Sequence, residues 1–91
     1  MAGKATTTID FGSTPVAEGQ FTVTDANITS TTDVEAFVVV DSTVDNDAEA
    51  HRHAAASWQM TVLPGSGSFT LYVTCLVDLC WGQFKIRYAY A

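Results

Sequence analysis

The chain has 91 residues, of which 47% are hydrophobic and 15% charged, and carries a formal net charge of −6 at pH 7. A chain of this length buries roughly 60 to 65% of its unfolded surface, so one core must serve all of it and residues 1–91 are expected to form a single domain. Its basic residues, Lys4, Arg52, Lys85 and Arg87, form no dense cluster, which argues against a nucleic-acid partner, because neutralising phosphates takes a basic patch.

The first residues lack the apolar core of a signal peptide, and no run of about 18 apolar residues exists to suggest a membrane helix. The chain therefore reads as made and folded in a cytoplasm, with no membrane partner. "ATTTIDF" sets Ala5, Thr7, Ile9 and Phe11 on one side of a first strand, which "GSTP" at 12–15 ends. "GQFTVTDANI" follows, with Phe21 and Val23 alternating against Thr22 and Thr24 before a turn at Asp25-Ala26-Asn27. In "DVEAFVVVDS" the consecutive Phe37, Val38, Val39 and Val40 suggest a strand covered on both faces, either central in its sheet or set against another subunit.

"SWQMTVLP" puts Trp58, Met60 and Val62 on one face, and "FTLYVTCLV" alternates Phe69, Leu71, Val73 and Cys75 against Thr70, Tyr72 and Thr74. Joined through "PGSG", these two runs predict a hairpin. "DLCWG" is a turn bearing Trp81, and "QFKIRYAYA" places Phe84, Ile86, Tyr88 and Tyr90 opposite Lys85 and Arg87. About six strands of this kind predict an all-β fold, a compact antiparallel β-sandwich or flattened barrel. The alanines of "DNDAEAHRHAAAS" give the one long connection a helical character of about two turns.

That same stretch gathers acids, an arginine and both histidines. In extended chain, His51 and His53 would point the same way and share an ion with Asp47 or Glu49, most completely if three copies pooled their pairs on a symmetry axis. On a helix the two rings diverge by roughly 200 degrees. Acid/base catalysis would have to begin with these histidines and Asp45 or Glu49, but it needs a pocket and a positioned nucleophile. The sequence holds no G-x-S-x-G, H-E-x-x-H or phosphate-binding glycine loop, so neither an enzyme nor a cofactor is expected. Cys75 and Cys80 have no zinc-ligand spacing and are expected as reduced thiols. Trp81 suits either a plug folded back on the core or an interface anchor. Tyr88 and Tyr90, near the end of the chain, are expected to need something to hold them.

Three stretches, "TIDFGSTPVAEGQFTVTDANI", "VEAFVVVDSTVDNDAEAHRHAAAS" and "GQFKIRYAY", together resemble small structural proteins of tailed-bacteriophage virions. The resemblance spans Ala5 to Tyr90 and rests on the "DFGSTPV" turn, the "FTVTDA" strand and the "DNDAEAHR" loop; His53 and the Trp81 turn lie outside it. It implies a virion component assembled in the host cytoplasm, either a capsid decoration protein or a small domain of a head or tail appendage. For a decoration protein the expected partners are further copies of itself, as a homotrimer, and the major capsid protein or another virion protein. Candidate contact residues are Phe37, Val39, Asp45, Asp47, Glu49, Arg52, Trp81, Tyr88 and Tyr90, with Phe37 to Val40 and the terminal "YAY" expected to be buried only on assembly. The rival expectation is a carbohydrate- or receptor-binding module, with Trp81, Tyr72 and Tyr88 stacking on sugars while Asp45, Asp47 and Asp78 accept hydroxyl hydrogen bonds.

Overall fold

The computed structural model describes residues 3–91. In chain order it contains β1 (Gly3–Asp10), β2 (Glu18–Thr24), β3 (Val34–Val38), α1 (Ala48–Ser57), β4 (Trp58–Gly65), β5 (Ser68–Cys75) and β6 (Gln83–Tyr90). All pairings are antiparallel and form two three-stranded sheets, ordered β1-β6-β3 and β2-β5-β4. The two sheets pack face to face as the antiparallel sandwich that the period-two alternation predicts.

The central strand of each sheet contributes most to the core. Phe69, Leu71 and Val73 of β5 meet Phe84, Ile86 and Tyr88 of β6 in one buried cluster, completed by Ile9, Val23, Ile28 and Val38. Burying each such aliphatic or aromatic side chain contributes about 1.5–3 kcal/mol. At one end Phe11, Trp58 and Phe84 pack edge to face, with centroids 4.8–6.0 Å apart. Ser66 and Gly67 form the β4–β5 hairpin turn, where Gly67 takes a φ of 74° that a side chain would disfavour. Pro64 is tolerated in β4 because that strand lies at a sheet edge.

At the other end Tyr88 ties the sheets together. Its hydroxyl, carried on β6, donates to Asp25 Oδ2 just beyond β2 at 2.7 Å, while Asp25 Oδ1 accepts the Asn27 N–H at 2.9 Å. The bond from Tyr88, then that from Asn27, holds the Asp25 carboxyl below its ordinary value. Burial, reinforced by Asp25, pushes the Tyr88 hydroxyl up to about 12.

Three expectations need correction. The apolar run at Phe37–Val40 does not form a central strand: β3 lies at an edge and ends at Val38, while β6 is central. Phe37 faces outward at 42% exposure, Val39 is half-buried after leaving the sheet, and Val40 is 66% exposed. Tyr88 does not wait for a partner; it is buried within the single chain and Tyr90 is half-buried, because β6 is paired on both sides from Ile86 to Tyr90. Finally, "CLV" does not prolong β5, which stops at Cys75 and leaves Leu76 and Val77 in a loop.

Candidate functional site

The acid- and histidine-rich stretch folds as a clamp on the sheet. Asp47 caps α1 by accepting the Ala50 N–H at 2.9 Å, and the alanine-rich sequence then carries the helix for ten residues, nearly three turns. Its last residue, Ser57, runs directly into β4, and Trp58 donates its backbone N–H to Ala54 O. Where β3 leaves the sheet, beyond the Val38–Ile86 pair, one side of β6 lacks a strand partner. Side chains from residues 43–51 take its place.

His51 is fully buried, with its Nε2 accepting the Lys85 N–H at 3.0 Å and its Nδ1 2.8 Å from Asp47 O. Since Lys85 must donate to Nε2, the ring proton sits on Nδ1 and is given to the Asp47 carbonyl. Two positions earlier, Gln83 donates its N–H to Asp45 Oδ2 at 3.0 Å. The Gln83 carbonyl accepts from Thr43 Oγ1 at 2.8 Å and Asn46 Nδ2 at 2.9 Å; Asn46 Nδ2 also reaches Trp81 O at 3.0 Å. The clamp thus satisfies the β6 groups that a longer β3 would have paired. Gly82 permits this approach: its φ is 73°, and a Cβ there would lie 2.5 Å from Asp45 Cβ.

This geometry redistributes the predicted site residues. Asp45 turns inward, Asp47 is a helix cap, and Glu49 forms an exposed ion pair with Arg52 that holds its carboxyl below the usual range. An exposed pair of this kind adds little stability. The shared-metal reading of His51 and His53 is corrected, because the helix sends one ring into the core and the other to solvent. Among the described residues, no group of three or more His, Cys, Asp or Glu is placed to hold a metal ion.

His53 Nε2 instead lies 3.0 Å from Asp78 Oδ2, with Ser57 one helical turn away. These are the residue types of a hydrolytic triad without its geometry: the Ser57 hydroxyl donates to the His53 backbone carbonyl at 2.9 Å, so the ring does not activate it. The adjacent cleft, walled by Ala50, Ala54, Trp58, Leu79, Trp81 and Phe84, has a volume of about 160 Å³. Small-molecule pockets usually span about 300–1,000 Å³.

The surface feature that the sequence reading missed is the loop opposite this helix. Leu76, Val77 and Leu79 are 62%, 68% and 61% exposed, and Trp81 follows at 44%, so Trp81 is not the core plug; Trp58 has that place. Val44, 88% exposed, sits on the clamped segment whose Asn46 holds the Trp81 carbonyl. Only Asp78 interrupts this apolar loop. Its neck contains two free cysteines: Cys80 Sγ accepts the Trp58 indole N–H at 3.0 Å, and burial, then the neighbouring Cys80 thiol, pushes the Cys75 thiol up to about 12. Among the described residues, no helix is long and apolar enough to cross a membrane. No protein-family model, curated protein or solved structure matches this chain.

Proposed function

We propose that this chain is a non-enzymatic structural protein of a bacteriophage virion, acting by protein contact as a homotrimeric capsid decoration protein. The observation that carries the contact role is the outward-turned loop of Leu76, Val77 and Leu79 with neighbouring Trp81 and Val44. Contiguous apolar side chains on a small domain mark an interaction surface, whereas scattered ones do not. Asp78 within the loop and the net charge of −6 favour an apolar socket with a basic rim on the partner. The virion assignment rests on the sequence resemblance. Trimerisation would let each weak contact act through avidity on a threefold arrangement of capsid subunits.

The experiment has two readings. Light scattering of the purified chain at micromolar concentrations is expected to give the mass of a trimer, and quantitative mass spectrometry of virions is expected to find the chain in high copy. A monomer throughout, together with absence from particles, overturns the proposal.

A second reading, carbohydrate binding, has one specific observation in its favour. Trp81 borders a shallow depression of about 220 Å³ with Asp10, Ser13 and Asp45, which pairs a stacking surface with hydroxyl acceptors. Tyr88 has no part in it, because its ring is buried. Specific capture of a glycan by the wild-type chain, lost in Trp81→Ala, would favour this reading over decoration.

A further inference from the structure

An interruption of β5 brings Cys75 and Cys80 together. Along the β2–β5 pairing Glu18 lies opposite Thr74, and Cys75 keeps the next step by donating its N–H to Ala17 O at 2.8 Å. One step further, regular pairing would set Leu76 opposite Val16. Instead Cys80 occupies that place and exchanges both backbone hydrogen bonds with Val16, at 2.9 and 2.8 Å. Leu76 remains bonded on the other side, donating to Ser57 O at 3.2 Å. Residues 76–79 therefore leave the sheet as an excursion, and the two cysteines stand at its neck. Cys80 is close enough to add to the effect of burial in raising the Cys75 thiol. Trp58 of β4, which pairs with Cys75 of β5, fixes the Cys80 sulfur through its indole N–H.

We propose that this pair is a redox modification site, at which a small-molecule disulfide of the glutathione type oxidises the two thiols to a disulfide across the neck of the 76–79 loop. One protein thiolate attacks a glutathione disulfide sulfur, its S–S bond breaks and one glutathione thiolate leaves. The second protein thiol gives its proton to water and attacks the protein sulfur of the mixed disulfide, displacing the second glutathione thiolate. Two protein thiols are oxidised, one glutathione disulfide is reduced to two thiols, and the two protons released return to them. With its thiol pushed to about 12, Cys75 is almost entirely protonated at neutral pH, so attack by that thiol is slow. Such a site changes with the environment of the protein over long periods rather than cycling as a catalyst. The consequence for docking rests on the contact role proposed above: a closed neck would hold Leu76, Val77 and Leu79 in one arrangement and reduce the ordering cost of binding.

The test uses the full chain under native conditions, equilibrated in glutathione buffers of stepped oxidised-to-reduced ratio, alkylated, and read by intact mass and peptide mapping. The expected product is lighter by two hydrogens, takes up no alkylating agent, holds Cys75 and Cys80 in one cross-linked peptide, and reverts with dithiothreitol. Cys75→Ser and Cys80→Ser, checked for native circular dichroism, are each expected to stop at a glutathione adduct on the remaining thiol. Closing so short a loop is expected to raise the folding equilibrium constant on the order of thirtyfold. Two alkylated thiols, a persistent adduct on the wild-type chain, or a disulfide between chains would overturn the proposal. No partner enters this readout, so its failure leaves the contact role standing. A disulfide that forms while self-association stays unchanged supports the modification site and counts against the contact role of the loop.

Discussion

The stretch from Thr43 to His51 and the loop from Leu76 to Trp81 invert the usual distribution of polarity. The first holds polar and acidic side chains and directs Thr43, Asp45, Asn46 and His51 into the sheet, while the second holds three large aliphatic residues and a tryptophan and turns them out. Exposed polar residues or buried apolar ones would teach little about either region, but each inversion calls for a cause. For the clamp the cause is internal, since the end of β3 leaves backbone groups of β6 to be satisfied. For the loop no cause lies within the described residues, and this difference separates a structural device from a candidate contact surface.

The largest expected effect comes from breaking the clamp. His51→Ala removes a fully buried ring and leaves the Lys85 N–H without an acceptor, which should cost about 3–5 kcal/mol in urea unfolding. A loss no greater than that of a surface substitution would show that the side chain does not stand in for a strand. Gly82→Ala should follow at about 2–4 kcal/mol, because the new Cβ meets Asp45 in a backbone conformation that disfavours it.

Tyr88→Phe, at the end of the sandwich away from the clamp, should cost about 1 kcal/mol near neutral pH. It should also alter the pH profile. Tyr88 has a folded-state value raised from 10.0 to about 12, so its contribution is complete below pH 10 and is lost as the pH rises from 10 to about 12. Asp25, held below 3.8, contributes fully above that value and loses its contribution as the pH falls through its lowered folded-state value. Stability of the wild-type chain followed by urea titration should therefore decline on the alkaline side, and Tyr88→Phe should flatten that decline.

The smallest effect on stability is expected at the loop. Replacing Leu76 and Leu79 by Ser should change unfolding by about 0.5 kcal/mol or less, since both side chains already meet water. The same variant should dissociate any oligomer seen by light scattering. Strong chelation should leave the oligomer mass unchanged, because His51 and His53 face different ways.

The sandwich was legible in the sequence because alternation is strict where a strand has one buried face. Phe69, Leu71 and Val73, and again Phe84, Ile86 and Tyr88, fall on the core side as their spacing predicts. The run at Phe37 misleads because consecutive apolar residues look the same whether they are covered on two faces or lead out of a sheet. The clamp was visible only as a cluster of polar residues. That Asn46 and Thr43 meet the Gln83 carbonyl is a tertiary contact between segments far apart in the chain, and no local pattern encodes it. For the 76–79 loop a signal existed: Asp78 interrupts an apolar run just before a second cysteine. Strand alternation accounted for that run equally well up to Val77, and it is the bonding of Cys80 to Val16 that decides against it.

The order of the first sheet also bears on synthesis. β6 is its middle strand and the last to be made, while β1, at one edge, is the first. During translation β1 must therefore stay unpaired while everything from Phe11 to Gly82 is polymerised, whereas β2, β5 and β4 can already assemble. The Thr-rich face of β1, with Thr6 and Thr8 exposed and Lys4 beside them, keeps this waiting segment hydrophilic on one side. The sheet that bears the histidine clamp therefore cannot complete its pairing until β6 is made, and each of its strand pairings is long-range in sequence.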